Sequence, residues 1–155
     1  MSEIEIRVQR FDAPESQALV RAALADLGAR YGGGGDETPV DAADFEPPAG
    51  TFLVALIEGR PVGCGGWRSH GEEGDIAELK RMYVTPEARG RGVARAVLAA
   101  VERSARERGR KRIVLECGDK QPEAIALYAS SGYERIPNFG FYADAPGCIS
   151  LGRTL

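Results

Sequence analysis

The sequence predicts an α/β fold, a mixed sheet with helices on both of its faces. Three observations carry this. Apolar and polar residues alternate through Ile4, Ile6 and Val8, the period of a half-buried strand. Ala18, Leu19, Ala22, Ala23 and Leu27, and later Val93, Val97, Leu98 and Val101, recur at helical spacing. Between them, two β-prone runs are joined by the turn Glu58-Gly59-Arg60-Pro61, so the chain departs from regular strand–helix alternation.

The elements follow in order. Ile4 to Val8 is a first strand. Pro14 and Glu15 suit a helix start, and that helix runs up to the glycines at 32–35. Residues 32–50 hold five acids, three prolines and no base, which reads as a flexible acidic loop with a short helix near residues 41–45. Residues 51–57 and 62–67 form a hairpin. Ile76 to Val84 is another strand, broken by Thr85-Pro86. Val93 opens a helix that ends before Gly109, and residues 113–115 are a short buried strand. Pro122 opens a helix through Tyr128 that stops at Gly132. Late strands at 133–136 and 148–151 complete the sheet, and no internal repeat is visible.

At 155 residues the chain predicts one domain, 1–155, long enough to bury a core without disulfide or metal staples. Hydrophobic residues make up 43% and charged residues 28%, which fits a soluble globular protein. No run approaches the roughly 18–20 uncharged apolar residues of a membrane span. The N-terminal residues lack the basic and apolar segments of a signal peptide. Cys64, Cys117 and Cys148 are odd in number and unpaired in spacing, and His70 is the single histidine. That argues against a disulfide framework, a zinc knuckle and a multi-histidine metal site. The expectation is a cytoplasmic, reduced protein with no metal and no membrane partner.

Charge is unevenly spread. From Lys80 to Arg112, eleven Lys or Arg stand against three acids, an excess of eight; the net charge of −3 leaves −11 for the rest. An acidic chain is a poor general nucleic-acid binder, since that binding neutralises many phosphates. A basic middle segment suits one compact polyanion, such as a nucleotide-like cofactor, or else a solvated helix face.

Arg89-Gly90-Arg91-Gly92-Val93-Ala94-Arg95 lies between a strand and an amphipathic helix. A helix start exposes about four unpaired N–H groups and roughly half a positive charge, and glycines let backbone approach an anion closely. The nucleotide motif GxxxxGK[ST] is absent, and Gly90-x-Gly92 lacks the third glycine of a dinucleotide fingerprint.

Arg89-x-x-Gly92-x-Ala94 resembles the Q/R-x-x-G-x-G/A motif of the GCN5-related N-acetyltransferases, the GNAT superfamily. Residues 78–86 look like the strand that precedes it there. Residues 121–133, with Ala124-x-x-Leu127-Tyr128 and Gly132-Tyr133, are similar to its N-x-x-A-x-x-L-Y-x-x-x-G-F segment. Gln121 stands where Asn is frequent and Tyr133 where Phe is usual. The resemblance covers about 60 residues firmly, with the cofactor-binding core at about 76–135. It implies a GNAT-type, mostly antiparallel sheet whose strands splay apart around acetyl-CoA, here Ile76–Val84 and residues 113–117. It further implies that main-chain groups of Met82 to Val84, Tyr83 between them, hold the pantetheine arm. Backbone of Arg89, Gly90, Arg91, Gly92, Val93 and Ala94 would hold the pyrophosphate, with Arg95 and Gln121 adding contacts.

The implied activity is N-acetyl transfer to a primary amine, attacked directly in a ternary complex, with acetyl-CoA as co-substrate and no metal. A lysine-like amine, with a pKa of about 10.4, must shed a proton first. Glu78 has the offset from Arg89 of the glutamate base in the histone-acetylating branch. Strand alternation puts Glu78, Lys80, Met82 and Val84 on one face and Leu79, Arg81 and Tyr83 on the other. The bland reading of Glu78 is a strand glutamate paired with Lys80 or Arg81. Tyr128 matches the family tyrosine that protonates the departing thiolate, or is an aromatic core residue. Cys117 reads as a small buried thiol. Trp67 and His70 either line an acceptor pocket or pack, and the acids of the 32–50 loop either steer a cationic amine or solvate the loop. A small-molecule amine is the expected acceptor. Protein-directed acetylation and a non-catalytic CoA-binding module are the alternatives, and family habit allows a homodimer.

Overall fold

In a computed structural model describing residues 3–155, seven strands form one sheet: β1 (Ile4–Val8), β2 (Gly50–Ile57), β3 (Arg60–His70), β4 (Ile76–Val84), β5 (Arg112–Gly118), β6 (Glu134–Arg135) and β7 (Cys148–Thr154). Their spatial order is β1-β2-β3-β4-β5-β7-β6, and every neighbouring pair is antiparallel except β4–β5. The helices are α1 (Pro14–Tyr31), α2 (Val93–Glu107) and α3 (Pro122–Ser130), with a 3-10 turn at Ala42–Phe45 where a short helix is expected.

The unbroken apolar run of β2 explains the layering. Phe52, Val54 and Leu56 pack with Leu19 and Val20 of α1, whereas Leu53, Ala55 and Ile57 pack with the buried stripe of α2. A strand covered on both faces needs no polar face. The α2 stripe is the residues at helical spacing, Val93, Val97, Leu98 and Val101, all buried. Each contributes about 1.5–3 kcal/mol by burial, so together they outweigh the roughly 1 kcal/mol forgone because no side chain caps the α2 start.

Only the first residues of β4 and β5 pair, Ile76–Glu78 with Arg112–Val114. Beyond them β4 stays with β3 as far as Val84, and β5 stays with β7 as far as Gly118. The two strands therefore diverge, and the edge of β4 over residues 79–84 has no strand beside it on the β5 side.

The expected alternation along β4 is overturned by a bulge. Gly66 pairs with Lys80 and Cys64 with Tyr83, so β4 has one residue more than β3 between these points. Arg81 absorbs it at φ +59°. Positive φ in a non-glycine residue is uncommon, and a bulge redirects the side chains beyond it. Lys80 and Arg81 consequently reach the same carboxylate, Asp36. Met82 and Val84 fall on the α2 face with Leu79, and Tyr83 on the α1 face with Cys64. The faces are thus Glu78, Lys80, Arg81 and Tyr83 against Leu79, Met82 and Val84. Strand lengths also differ from expectation. β5 and β7 each run three residues further at their C-terminal ends because each pairs with the other, while β6 shrinks to two.

Candidate active site

A cavity of about 660 Å³ fills the space where β4 and β5 part, bounded by α1, the start of α2, α3 and the segment before β7. Its two ends are built differently.

One end is made of backbone. Gly90 and Gly92 have φ of +79° and +84°, and a Cβ at either would meet nothing within 4 Å. Gly92 caps α2 from the left-handed region without a side-chain bond, which leaves the first N–H groups of the helix unpaired. The sequence-predicted cradle residues lie on this wall, apart from Arg91. Met82, Tyr83 and Val84 arrive from the unpaired edge of β4, and Gln121 from the start of α3. Several side chains here are already engaged. Arg89 Nε donates to the Val84 carbonyl (3.2 Å), Arg95 to Ser130 Oγ (2.7 Å), and Gln121 Oε1 accepts from the Gly118 N–H (3.1 Å). Main-chain N–H groups are therefore what the wall offers to an anion.

Tyr128 lines the cavity from α3. It is 5% exposed, and its ring packs on Tyr133 at 5.5 Å. The two phenols differ in use: Tyr133 donates to Glu102 Oε2 (2.7 Å) inside the core, whereas Tyr128 is on the cavity wall. Burial, with a smaller push from Cys117, raises the Tyr128 pKa far above its ordinary value. Cys117 shares this wall, and burial pushes its thiol up to about 11.

Glu78 is not brought to the cavity. Its carboxylate is 5% exposed and accepts from Arg68 Nε at 2.9 Å, and Arg68 also binds Asp44 (3.2 Å) and the Pro39 carbonyl. The partner is a cation of β3 and not the Lys80 or Arg81 of its own strand. Trp67 is wholly buried, its indole N–H on Ser104 Oγ (2.9 Å), and His70 packs edge-on to Phe139; both are away from the cavity. Three acids of the loop are ion-paired within the protein, Asp44 with Arg68, Glu46 with Arg10, and Asp36 with Lys80 and Arg81.

The other end is made of charged side chains. Gly35, at φ +86°, packs so tightly on the Leu24 backbone that any Cβ would collide. That contact docks the loop onto α1 and drops Asp36 over β4. Asp36 Oδ2 accepts from both Lys80 (3.0 Å) and Arg81, while Oδ1 accepts from Thr38. Across the cleft stands Glu116 of β5. Its Oε2 accepts from the Tyr142 N–H (3.1 Å) and the Cys148 thiol, and the chain at Gly140 packs directly on Oε1. Tyr142 ties this segment to the loop, accepting from the Glu37 N–H (2.6 Å) and facing the Gly35 carbonyl.

The "Acetyltransferase (GNAT) family" model matches residues 18–133, most of the chain. The chain belongs to the GNAT acetyltransferase family. This GNAT protein is 38% identical over 116 residues to "IAA acetyltransferase" of Azospirillum brasilense, covering 75% of each. It is 41% identical over 93 residues to an N-acetyltransferase of Escherichia coli, covering 59% of this chain and 56% of that one. Its fold matches a Klebsiella pneumoniae structure solved as a candidate acyl-CoA N-acyltransferase, with TM-score 0.82, 30% identity and coverage of 98% and 97%.

Sequence reasoning missed Glu116 as a site residue and met Lys80 and Arg81 only as partners for Glu78. Signals for both were present in this GNAT chain. Glu116 is the single charge within the run 113–117, and two adjacent cations in a strand cannot share a face unless the strand bulges.

Proposed function

We propose that this GNAT enzyme moves an acetyl group from acetyl-CoA to the primary amine of a small molecule, by direct attack within a ternary complex. The observation that carries the reading is one cavity in which a backbone anion cradle and a buried, protonated tyrosine share a wall. Acetyl-CoA supplies the thioester carbon that the amine attacks. Backbone N–H groups over residues 90–94 hold its pyrophosphate, and the free edge of β4 at Met82 and Val84 lines its pantetheine arm as a strand would. The amine nitrogen forms its bond to carbon as the carbon–sulfur bond breaks. Tyr128 keeps its proton at neutral pH and gives it to the departing sulfur. Of an ammonium's three protons, one remains on the amide, one replaces the Tyr128 proton and one leaves to solvent. Cys117, with its thiol raised to about 11, is protonated at neutral pH, which supports direct attack over an acyl-cysteine route. A small acceptor fits because Tyr142 and the 35–37 loop roof the far end.

The test is thiol release from acetyl-CoA against amino acids, polyamines, aminoglycosides and a lysine peptide, with acetyl-CoA binding followed by calorimetry. Release with a free amine and not with the peptide is expected. Release with the peptide alone would assign the enzyme to proteins, and failure of acetyl-CoA to bind would remove the cradle argument.

A further inference from the structure

Two cations of β4 share a single carboxylate. Lys80 and Arg81 are each 6% exposed by side chain, and both bind the same oxygen of Asp36. The other oxygen of Asp36 is committed to Thr38. The nearest acids on that sheet face do not help, since Glu78 and Asp44 are both held by Arg68. One buried positive charge is thus left without a counter-ion, an arrangement that costs several kcal/mol unless something pairs with it. Arg81 shows the same deficit atom by atom: one terminal nitrogen binds Asp36, the other the Thr38 carbonyl (3.2 Å), and Nε is buried with no hydrogen-bond partner.

The opposite deficit stands on β5. Glu116 Oε1 is buried and has no partner. The last paired residues, Glu78 and Val114, put Lys80 and Glu116 two positions further along their strands, on the same sheet face, after the strands have parted. Lys80, Arg81 and Glu116 line one cavity, and neither cation is ion-paired with Glu116. A surplus cation and a carboxylate that has no ion pair therefore line the same cavity from two diverging strands.

We propose that the acceptor is an amino acid or a close analogue, its carboxylate held by Lys80 and Arg81 and its amine received by Glu116. This deepens the transferase reading and rests on it. A zwitterion supplies both missing charges at once, whereas a polyamine or an aminoglycoside would bring a second cation toward Lys80 and Arg81. Lys80 suits the role because its ammonium carries three donors and gives one to Asp36.

The experiment compares matched acceptors on the wild-type enzyme: phenylalanine, alanine and aspartate, the α-carboxamide of each, and the corresponding decarboxylated amines. Rates are compared at equal concentrations of neutral amine, and calorimetry with acetyl-CoA runs in parallel. The acids should show KM values at least tenfold below their amides, the size expected for one charge-assisted contact. Lys80→Met should raise KM for the acids about tenfold more than for the amides, and Lys80→Arg should restore most of it. Glu116→Gln should weaken acids and amides alike, since both carry the amine. Equal use of acid and amide by an enzyme that binds acetyl-CoA and releases thiol overturns the carboxylate subsite and leaves the transferase standing. Absence of acetyl-CoA binding overturns both. The wild-type comparison decides the matter even if a variant does not fold.

Discussion

The two ends of the cavity are built from different parts of the chain. The cradle end is backbone, contiguous over residues 89–95, and needs only two glycines and a helix start to exist. The far end is side chains from three separated places: Asp36 on a docked loop, Lys80 and Arg81 at a bulge, Glu116 on the neighbouring strand. The first kind of site is local and tolerates sequence change around it. The second exists only when loop, bulge and sheet are all in place, so its parts should be coupled to stability as well as to function.

The largest effect should come from breaking that coupling. Asp36→Asn leaves two buried cations without their shared carboxylate and should cost about 3–5 kcal/mol of unfolding free energy. The pH dependence has a defined sign. Burial alone would raise the Asp36 pKa, but Lys80, Thr38 and Arg81 outweigh it and hold the carboxyl below its ordinary value of 3.8. Its stabilisation is therefore present above the unfolded pKa and is lost as pH falls through the folded one. Urea titrations of both proteins at pH 7 and at about pH 3 should show the gap between them shrinking in acid. An undiminished gap would mean that Asp36 acts through packing and not through charge.

Tyr128→Phe comes next and separates chemistry from binding. Loss of a proton donor costs about 10²-fold in turnover or more, while acetyl-CoA affinity, which we assign to the cradle, should stay within about twofold of wild type. Single-turnover rates and calorimetry on the same preparation make the comparison. Equal losses in both would return Tyr128 to the core beside Tyr133.

The contrast between the ends also explains what was legible in the sequence. The period-two and helical patterns located the seven strands and three helices, because each pattern reflects a local burial demand: the eight residues of β2 are all buried between two layers, and the α2 stripe faces one side of the sheet. The glycine turn and the helix start were legible because both form where they stand in sequence. The side-chain faces of β4 were not, since the bulge at Arg81 follows from pairing with β3 and leaves no local mark beyond a pair of cations. Glu78 illustrates the same limit. Its spacing from Arg89 suggested a base, and the partner its carboxylate takes is Arg68, ten residues earlier on β3.

The smallest effects test whether the cradle is backbone at all. Arg95 lines the cavity and Arg91 does not, although both belong to the same basic segment. Arg95 is already bonded to Ser130, so in the proposed complex its charge acts from a fixed place instead of folding over a phosphate. A contact between an exposed side-chain charge and an anion contributes about 0.2–1 kcal/mol and is screened by salt. Arg95→Ala should therefore weaken acetyl-CoA binding only a few-fold, less at high salt, and Arg91→Ala should leave it unchanged in calorimetric titrations. A loss beyond about tenfold for Arg95→Ala would move the phosphate contact from the helix start to a side chain. Equal losses for both variants would mean that the whole basic segment attracts the anion as a diffuse field, and the geometric distinction between Arg91 and its neighbours would carry no energetic weight.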